Sequence, residues 1–263
     1  MQLTKHHGLG NDFLVMLDPG GLRPVSALAV RHACDRHRGI GADGFIRATA
    51  GEGDAHLTMN LFNADGGRAE MSGNGIGCMV QAAVLAGLVA PPTVAVRTDA
   101  GRRLVQIAPN GERSHRVTTD MGPAKVGEEE PEWVDDDIIR AVRVDVGNPH
   151  VVLHALDPDL AADVTELGRV INDSTPGGIN VELIAPGPGA GELTMRVYER
   201  GVGRTEACGT GACAAAAAAV AWELTGPEVI VHQPGGDARV TVGDTAILEV
   251  EVHHVATVDL PWP

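Results

Sequence analysis

The sequence predicts an α+β protein made of two homologous halves. Three observations support this. Residues 57–75 read LTMNLFNADGGRAEMSGNG, and residues 193–211 read LTMRVYERGVGRTEACGTG. At one constant offset Leu57, Thr58, Met59, Gly67, Arg68, Glu70, Gly73 and Gly75 meet identical residues, while Leu61 and Phe62 meet the apolar Val197 and Tyr198. Upstream, Gly10-Asn11-Asp12-Phe13-Leu14-Val15 is echoed by Gly147-Asn148-Pro149-His150-Val151-Val152. After each echo, strand-like and helix-like segments follow in the same order. Low complexity does not give ordered, aperiodic matches, and two copies make a duplicated domain rather than a solenoid. Each half has an ordinary domain size.

In the first half a strand-like stretch ends in Gly8-Leu9-Gly10-Asn11 and resumes from Phe13 to Leu17. A helical segment runs from about Ser26 to Asp35, and Gly39-Ile40-Gly41-Ala42-Asp43-Gly44 reads as a turn-rich loop. Leu57 to Phe62 alternates as a strand does. The loop from Asn63 to Gly75 leads into Ile76 to Leu88, apolar nearly all round and so a buried helix, stopped by Pro91 and Pro92. Val94–Thr98 and Leu104–Ile107, split by Asp99-Ala100-Gly101, read as a hairpin.

The second half repeats the plan. Strands are expected at Arg143–Val146 and Val151–His154, a helix at Asp159–Asn172, a turn at Pro176-Gly177-Gly178 and a strand at Leu193–Tyr198. The loop Glu199–Gly211 leads into a helix from Ala212 to Leu224, closed by Thr225-Gly226-Pro227. Val229–Val231 and Val240–Val242 form a hairpin, and Ile247–Val258 supplies closing strands. Six successive alanines, Ala214 to Ala219, are good helix formers, and their small size suits a helix packed on every side. The expected division is 1–114, joined by a closing strand at 254–263, and 115–253, with the linker near Pro109-Asn110-Gly111 to His115.

The net charge of −15, from 35 acidic and 20 basic residues, argues against nucleic acid as a partner, since phosphate backbones need clustered Lys and Arg. No apolar run reaches a membrane-spanning ~18 residues, and the N-terminus lacks the apolar core of a signal peptide. Cys34, Cys78, Cys208 and Cys213 form neither a C-x-x-C pair nor a zinc or disulfide framework, so a reducing, cytoplasmic setting is expected. Cys34, Cys78 and Cys213 fall inside helical patterns and read as core.

The chemistry concentrates at Ser72-Gly73-Asn74-Gly75 and Cys208-Gly209-Thr210-Gly211, each just before a buried helix. First-turn N–H groups have no intrahelical partners, so each loop offers an anion pocket. The helix dipole is expected to lower the pKa of a thiol at position 208, fitting it to act as a base. Either loop alone reads as a packing turn, and Cys208 alone as a small buried hydrophobe. Together, with an upstream Gly-Asn echo each, they point to a shared site. If the halves face each other, a substrate carboxylate held by both sets of N–H groups places its α-carbon between residues 72 and 208. Acid–base groups on opposite faces of one carbon invert an amino-acid centre. The sequence carries no pyridoxal-lysine motif or metal cluster, so no metal or cofactor is expected and electrostatics would stabilise the carbanion. Of the histidines, His150 reads as functional; His6, His7, His253 and His254 read as surface residues.

Several of these runs resemble the diaminopimelate epimerase family. They are His7-Gly8-Leu9-Gly10-Asn11-Asp12-Phe13, Gly39-Ile40-Gly41-Ala42-Asp43-Gly44, Asn63-Ala64-Asp65-Gly66, Gly147-Asn148-Pro149-His150, Gly178-Ile179-Asn180-Val181-Glu182, Glu199-Arg200-Gly201 and Ala207 to Ala212. The resemblance implies two pseudo-symmetric domains, each a mixed, mainly antiparallel β-sheet wrapped around a central α-helix. It implies cofactor-independent interconversion of LL- and meso-diaminopimelate, a small amino-acid substrate, for lysine and peptidoglycan synthesis, by a homodimer. It makes Cys208 one acid/base residue, with Glu199 and His150 assisting. The α-carboxylate would be held by the N–H groups of Gly73, Asn74, Gly209 and Thr210. Asn11, Gly44, Asn63, Asn148, Asn180 and Arg200 would bind the rest of the substrate, an Arg being suited to a bidentate carboxylate contact.

The family's other catalytic cysteine falls on Ser72, whose hydroxyl is less acidic than a thiol by several pKa units relative to about 8.5. Three readings stay open. Ser72 is an introduced replacement; or a natural variant in which serine or water takes over; or the mark of one-base chemistry, such as elimination or racemisation of a hydroxyproline-type substrate. A catalytically silent amino-acid binding protein is a further alternative. Gly77, where the family often has Arg, and Arg204, where it often has Glu, also depart from the pattern.

Overall fold

A computed structural model describes residues 2–156 and 164–260. The chain divides into two compact units, Met1–Thr119 with Val250–Pro263, and Asp120–Glu249. The first unit holds β1 (Gln2–Gly8), β2 (Asn11–Leu17), α1 (Ala27–Cys34), β3 (Gly44–Ala50), β4 (Leu57–Asn63), β5 (Arg68–Ala69), α2 (Gly73–Leu85), β6 (Thr93–Thr98), β7 (Gly101–Pro109) and β8 (Ser114–Asp120). The second holds β9 (Lys125–Glu129), β10 (Ile138–Asp145), β11 (Pro149–Ala155), α3 (Val164–Ser174), β12 (Asn180–Pro186), β13 (Glu192–Glu199), β14 (Gly203–Thr205), α4 (Gly209–Ala221), β15 (Glu228–Gln233) and β16 (Gly236–Val242). The long β17 (Ala246–Asp259) begins in the second unit and returns to the first. Among the described residues no helix is long and apolar enough to cross a membrane.

The duplication is visible in strand pairing. In the first unit β2 runs parallel to β3 and β4 parallel to β6, while β1–β2, β3–β4, β6–β7 and β7–β8 are antiparallel. The second unit places its parallel pairs alike, at β11–β12 and β13–β15, between antiparallel β10–β11, β12–β13 and β15–β16. An outer strand completes each sheet differently. β17 pairs β1 antiparallel in the first unit, and β9 pairs β10 antiparallel in the second.

Each sheet wraps a central helix, as the fold class implied. From Gly73 to Ala83 every residue of α2 is buried, and so is every residue of α4 from Gly209 to Ala219. A helix ringed by strands has no polar face, so small apolar residues serve all round it. That explains the alanine run, along with buried Cys78 and Cys213. The shorter helices cover the outer faces: α1 packs Val30, Ala33 and Cys34 against Leu14, Met16 and Phe45, and α3 packs Val164 and Ile171 against Val181 and Leu183.

Several expectations are corrected. The central helices begin at Gly73 and Gly209, three residues before Ile76 and Ala212, because Ser72 and Cys208 are the N-caps. The first ends not at Pro91 but at Gly87 (φ 69°), with Gly87 N–H donating to Val84 O (3.0 Å) and Leu88 N–H to Ala83 O (2.9 Å), a Schellman ending. The second ends the same way on Glu223 (φ 60°), before Thr225, with bonds to Val220 O (3.0 Å) and Ala219 O (2.9 Å). Strands β3 and β12 escaped the sequence reading because they are buried on both faces along most of their length and so show no alternation. Residues 109–115 are not a linker. They turn β7 into β8, with Asn110 N–H donating to Ser114 O (3.0 Å) and Ser114 Oγ to Asn110 O (2.7 Å). Because β8 pairs with β7, the unit boundary lies past it, at Thr119/Asp120, and again at Glu249/Val250. The stretch 159–163 of the expected second-half helix lies outside the described residues.

Candidate active site

Ser72 and Cys208 occupy the same place in their units. Ser72 caps α2 from an extended conformation (φ −142°, ψ 125°), and its Oγ accepts the Gly75 N–H at 3.0 Å. Cys208 caps α4 (φ −132°, ψ 117°), and its Sγ accepts the Gly211 N–H at 3.3 Å. The fourth N–H of each loop bonds back to the cap carbonyl: Ile76 to Ser72 O and Ala212 to Cys208 O. The N–H groups of Gly73 and Asn74, and of Gly209 and Thr210, stay outside the intrahelical pattern. Gly75 and Gly211 both stand in crowded places. A Cβ at Gly75 would sit 3.1 Å from Ser72 Oγ, and one at Gly211 would sit 2.7 Å from Glu182 Oε1.

In the second unit a chain of contacts gathers behind the cap. Thr210 Oγ1 lies 3.4 Å from Cys208 Sγ and accepts from Asn148 Nδ2 at 3.5 Å. Asn148 Oδ1 faces His150 Nε2 at 2.9 Å, and His150 Nδ1 faces Glu182 Oε1 at 2.7 Å. His150 and Glu182 are fully buried. Glu199 accepts from Thr205 Oγ1 at 2.5 Å. Asn180 braces the backbone: its Oδ1 accepts the Arg200 N–H (2.9 Å), and its Nδ2 donates to Pro149 O (2.9 Å). Gln233 Oε1 accepts the Cys208 N–H at 2.8 Å and fixes the cap from behind. Gln233 and Glu182 carried no isolated signal in the sequence; each is a polar residue in an apolar strand.

The Cys208 thiol corrects one expectation. Its pKa is raised, not lowered: burial dominates, and the negative Glu199 and Glu182 add to it, outweighing the Thr210 and Gly211 hydrogen bonds. Burial and the two carboxylates therefore favour the protonated thiol.

The first unit assembles its counterpart with different chemistry. Asn74 Nδ2 donates to Asn11 Oδ1 (3.4 Å), and Asn11 Nδ2 donates to Asp43 Oδ2 (2.9 Å). Asp43 belongs to an ionic knot that ties the Gly8–Asn11 turn to the 39–44 loop. Arg36 bridges Asp12 (2.7 Å) and Asp43 (2.8 Å), and Lys5 reaches Asp12 (2.9 Å). Burial opposes ionisation of Asp12, yet Arg36, Lys5 and the Asp43 N–H hold its pKa below the usual carboxylate range. Gly44 opens β3 where a Cβ would strike the Phe13 ring at 2.9 Å, so packing alone requires a glycine there. Asn63 closes β4, its backbone bonded to Gly66 and Gly67.

Other expectations resolve differently. His6 is fully buried, not on the surface, and bonds Gln81 of α2 at 2.7 Å. His7 and His253 stack with ring centroids 4.8 Å apart. A Cβ at Gly77 would meet Val252 at 3.0 Å and Val117 at 3.3 Å, leaving no room for a side chain. Arg204 sits opposite Tyr198 across β13–β14, as Arg68 sits opposite Phe62 across β4–β5. Among the described residues no group of three or more His, Cys, Asp or Glu is arranged to hold a metal ion.

The fold is that of the proline racemase and diaminopimelate epimerase class. It is shared with a hydroxyproline epimerase from Agrobacterium vitis (TM-score 0.75, 17% identity, covering 99% of this chain and 90% of that one). It is shared equally with a predicted epimerase from Pseudomonas aeruginosa (TM-score 0.75, 17% identity, 99% of each chain). Sequence then narrows the class. The diaminopimelate epimerase family profile matches residues 3–127 and 142–254. The diaminopimelate epimerase of Thermobifida fusca is 36% identical over 92% of this chain and 87% of its own length. That of Mycobacteroides abscessus is 38% identical over 94% and 92%. The chain belongs to the diaminopimelate epimerase family.

Proposed function

We propose that this protein interconverts LL- and meso-diaminopimelate by proton transfer at the α-carbon. The observation that carries the reading is the matched pair of helix starts, capped by a hydroxyl in one unit and a thiol in the other, in a chain whose relatives are diaminopimelate epimerases. In this reading Cys208 and Ser72 serve the two faces of one α-carbon. The free N–H groups of Gly73, Asn74, Gly209 and Thr210 take the α-carboxylate, where helix-end donors favour negative charge. Asn11, Asn63, Asn148, Asn180 and Arg200 bind the remaining ammonium and carboxylate groups, Gly44 keeps its strand close to them, and Glu199 and His150 assist. With the thiol held mostly protonated by burial and by Glu199, Cys208 is suited to deliver a proton, and an ammonium group beside Glu199 would favour the thiolate for the reverse step. Ser72 is the weaker partner. The resemblance further supports a cytoplasmic homodimer, which equilibrium sedimentation checks for its assembly.

The direct test is to incubate the protein with LL-diaminopimelate and separate the stereoisomers. Appearance of the meso form, and of LL from meso, is expected. Conversion of neither isomer, by this chain or its Ser72→Cys variant, rejects the reading.

A further inference from the structure

The two halves aim equivalent asparagines in opposite senses. Asn11 gives its NH2 to the Asp43 carboxylate and turns its carbonyl toward Asn74 at the start of α2. Asn148 gives its carbonyl to His150 and turns its NH2 toward Thr210 at the start of α4. An amide cannot choose its own orientation; its neighbours fix it. In the second unit that neighbour is an imidazole, which presents N–H or a lone pair depending on what its other nitrogen meets.

That other nitrogen meets Glu182. The carboxyl rises from β12 with no exposure, its Oε1 2.7 Å from His150 Nδ1. Its Oε2 is buried without a hydrogen-bond partner, a costly arrangement to keep for packing alone. It also presses on the α4 start, its Oε1 2.7 Å from where a Cβ at Gly211 would stand. At the matching places of the first unit stand Phe13 and Ile46, so the fold itself needs no polar pair there.

We infer that Glu182 is a positioning residue for the Cys208 half of the site: through His150 it holds the Asn148 amide with its NH2 toward Thr210 and Cys208. The proton accounting is direct. Nε2–H donates to Asn148 Oδ1, and one further proton lies between Nδ1 and Glu182 Oε1. Without that second proton Nε2–H gives way to Nδ1–H, Nε2 becomes an acceptor, and the Asn148 amide turns over to present its carbonyl instead. Glu182 thereby decides whether this corner offers a donor, suited to a carboxylate, or an acceptor, suited to an ammonium.

The inference rests on the proposed epimerase reaction, and its test separates the two. Glu182→Gln can donate from its amide to Nδ1 and keep Nε2–H facing Asn148; Glu182→Met leaves Nδ1 without a partner, so neither the ring nor the Asn148 amide is held in place. With diaminopimelate, the Gln variant should stay within about threefold of the parent in kcat. The Met variant should lose on the order of 10²-fold, the scale of a misplaced binding group. A folded Met variant with the parent's kcat and KM overturns the inference. Should the Met variant not fold, nitrogen-15 NMR of the imidazoles in the parent decides: Nε2 of His150 must carry a proton, and an unprotonated Nε2 overturns the inference. A parent that neither binds nor converts diaminopimelate defeats the substrate reading and leaves the NMR result to stand by itself.

Discussion

Replacing Ser72 by Cys should move stability and activity in opposite directions. Ser72 Oγ accepts the Gly75 N–H at 3.0 Å, whereas Cys208 Sγ accepts the Gly211 N–H at 3.3 Å in the same cap geometry. Losing an N-cap hydroxyl altogether costs about 1 kcal/mol, so exchanging it for a longer, weaker sulfur acceptor should cost roughly 0.5 kcal/mol. Activity should rise instead, because the thiol ionises several pKa units more readily than the hydroxyl. A well-placed acid–base group contributes about 10²–10⁴-fold, and a gain in kcat within that range is expected if the serine now limits the reaction. Cys208→Ser should do the reverse, adding roughly 0.5 kcal/mol, about half of a cap bond, and removing most turnover. Urea unfolding under reducing conditions reads the first quantity, and LL-to-meso conversion reads the second. A Ser72→Cys variant that is folded yet no faster, or one that is both faster and more stable, would refute the reasoning.

Three further outcomes follow from particular contacts. Glu223 takes the left-handed ending of α4 that Gly87 takes in α2, so Glu223→Gly should stabilise by about 0.5–1 kcal/mol in urea unfolding, the relieved strain less the added freedom of the unfolded chain. His6 is held neutral, its pKa pushed from 6.5 down to about 4 by burial first, with Gln81 opposing and His254, His115 and His7 adding to it. The unfolded chain takes up that proton sooner, so stability should fall by about 3 kcal/mol as pH drops from 6.5 to about 4. His6→Leu should flatten that window, and an unchanged slope would count against this account. Gly211→Ala would place a methyl 2.7 Å from Glu182 Oε1, so it should lower kcat sharply with only about 1–3 kcal/mol lost in thermal unfolding.

The repeat made much of this legible. Ser72 and Cys208 were found by aligning two loops, and both proved to be caps on matched central helices. Strands with one polar face, such as β4 and β13, announced themselves by alternation. Strands β3 and β12, buried on both faces along most of their length, show no alternation and leave no strand signal in the sequence. The helix ends were misplaced because glycines in a first turn look like a loop, and because Glu223 stands where a glycine would mark the stop. Buried polar networks were the least visible. Gln81, Glu182 and Gln233 are single polar letters in apolar runs, and Lys5, Arg36 and Asp43 meet only after folding. The Cys208 environment is hidden for a related reason: the dipole is local to the helix, whereas the burial, Glu199 and Glu182 that raise the thiol come from the surrounding fold.

The central claim, two acid–base groups working on opposite faces of one α-carbon, is tested most directly by running LL-diaminopimelate in D2O to a few per cent conversion. Mass spectrometry should find one solvent deuteron at the inverted carbon of the meso product and none in the recovered LL substrate. Deuterium accumulating in the recovered substrate, or meso product that keeps its original protium, would contradict it.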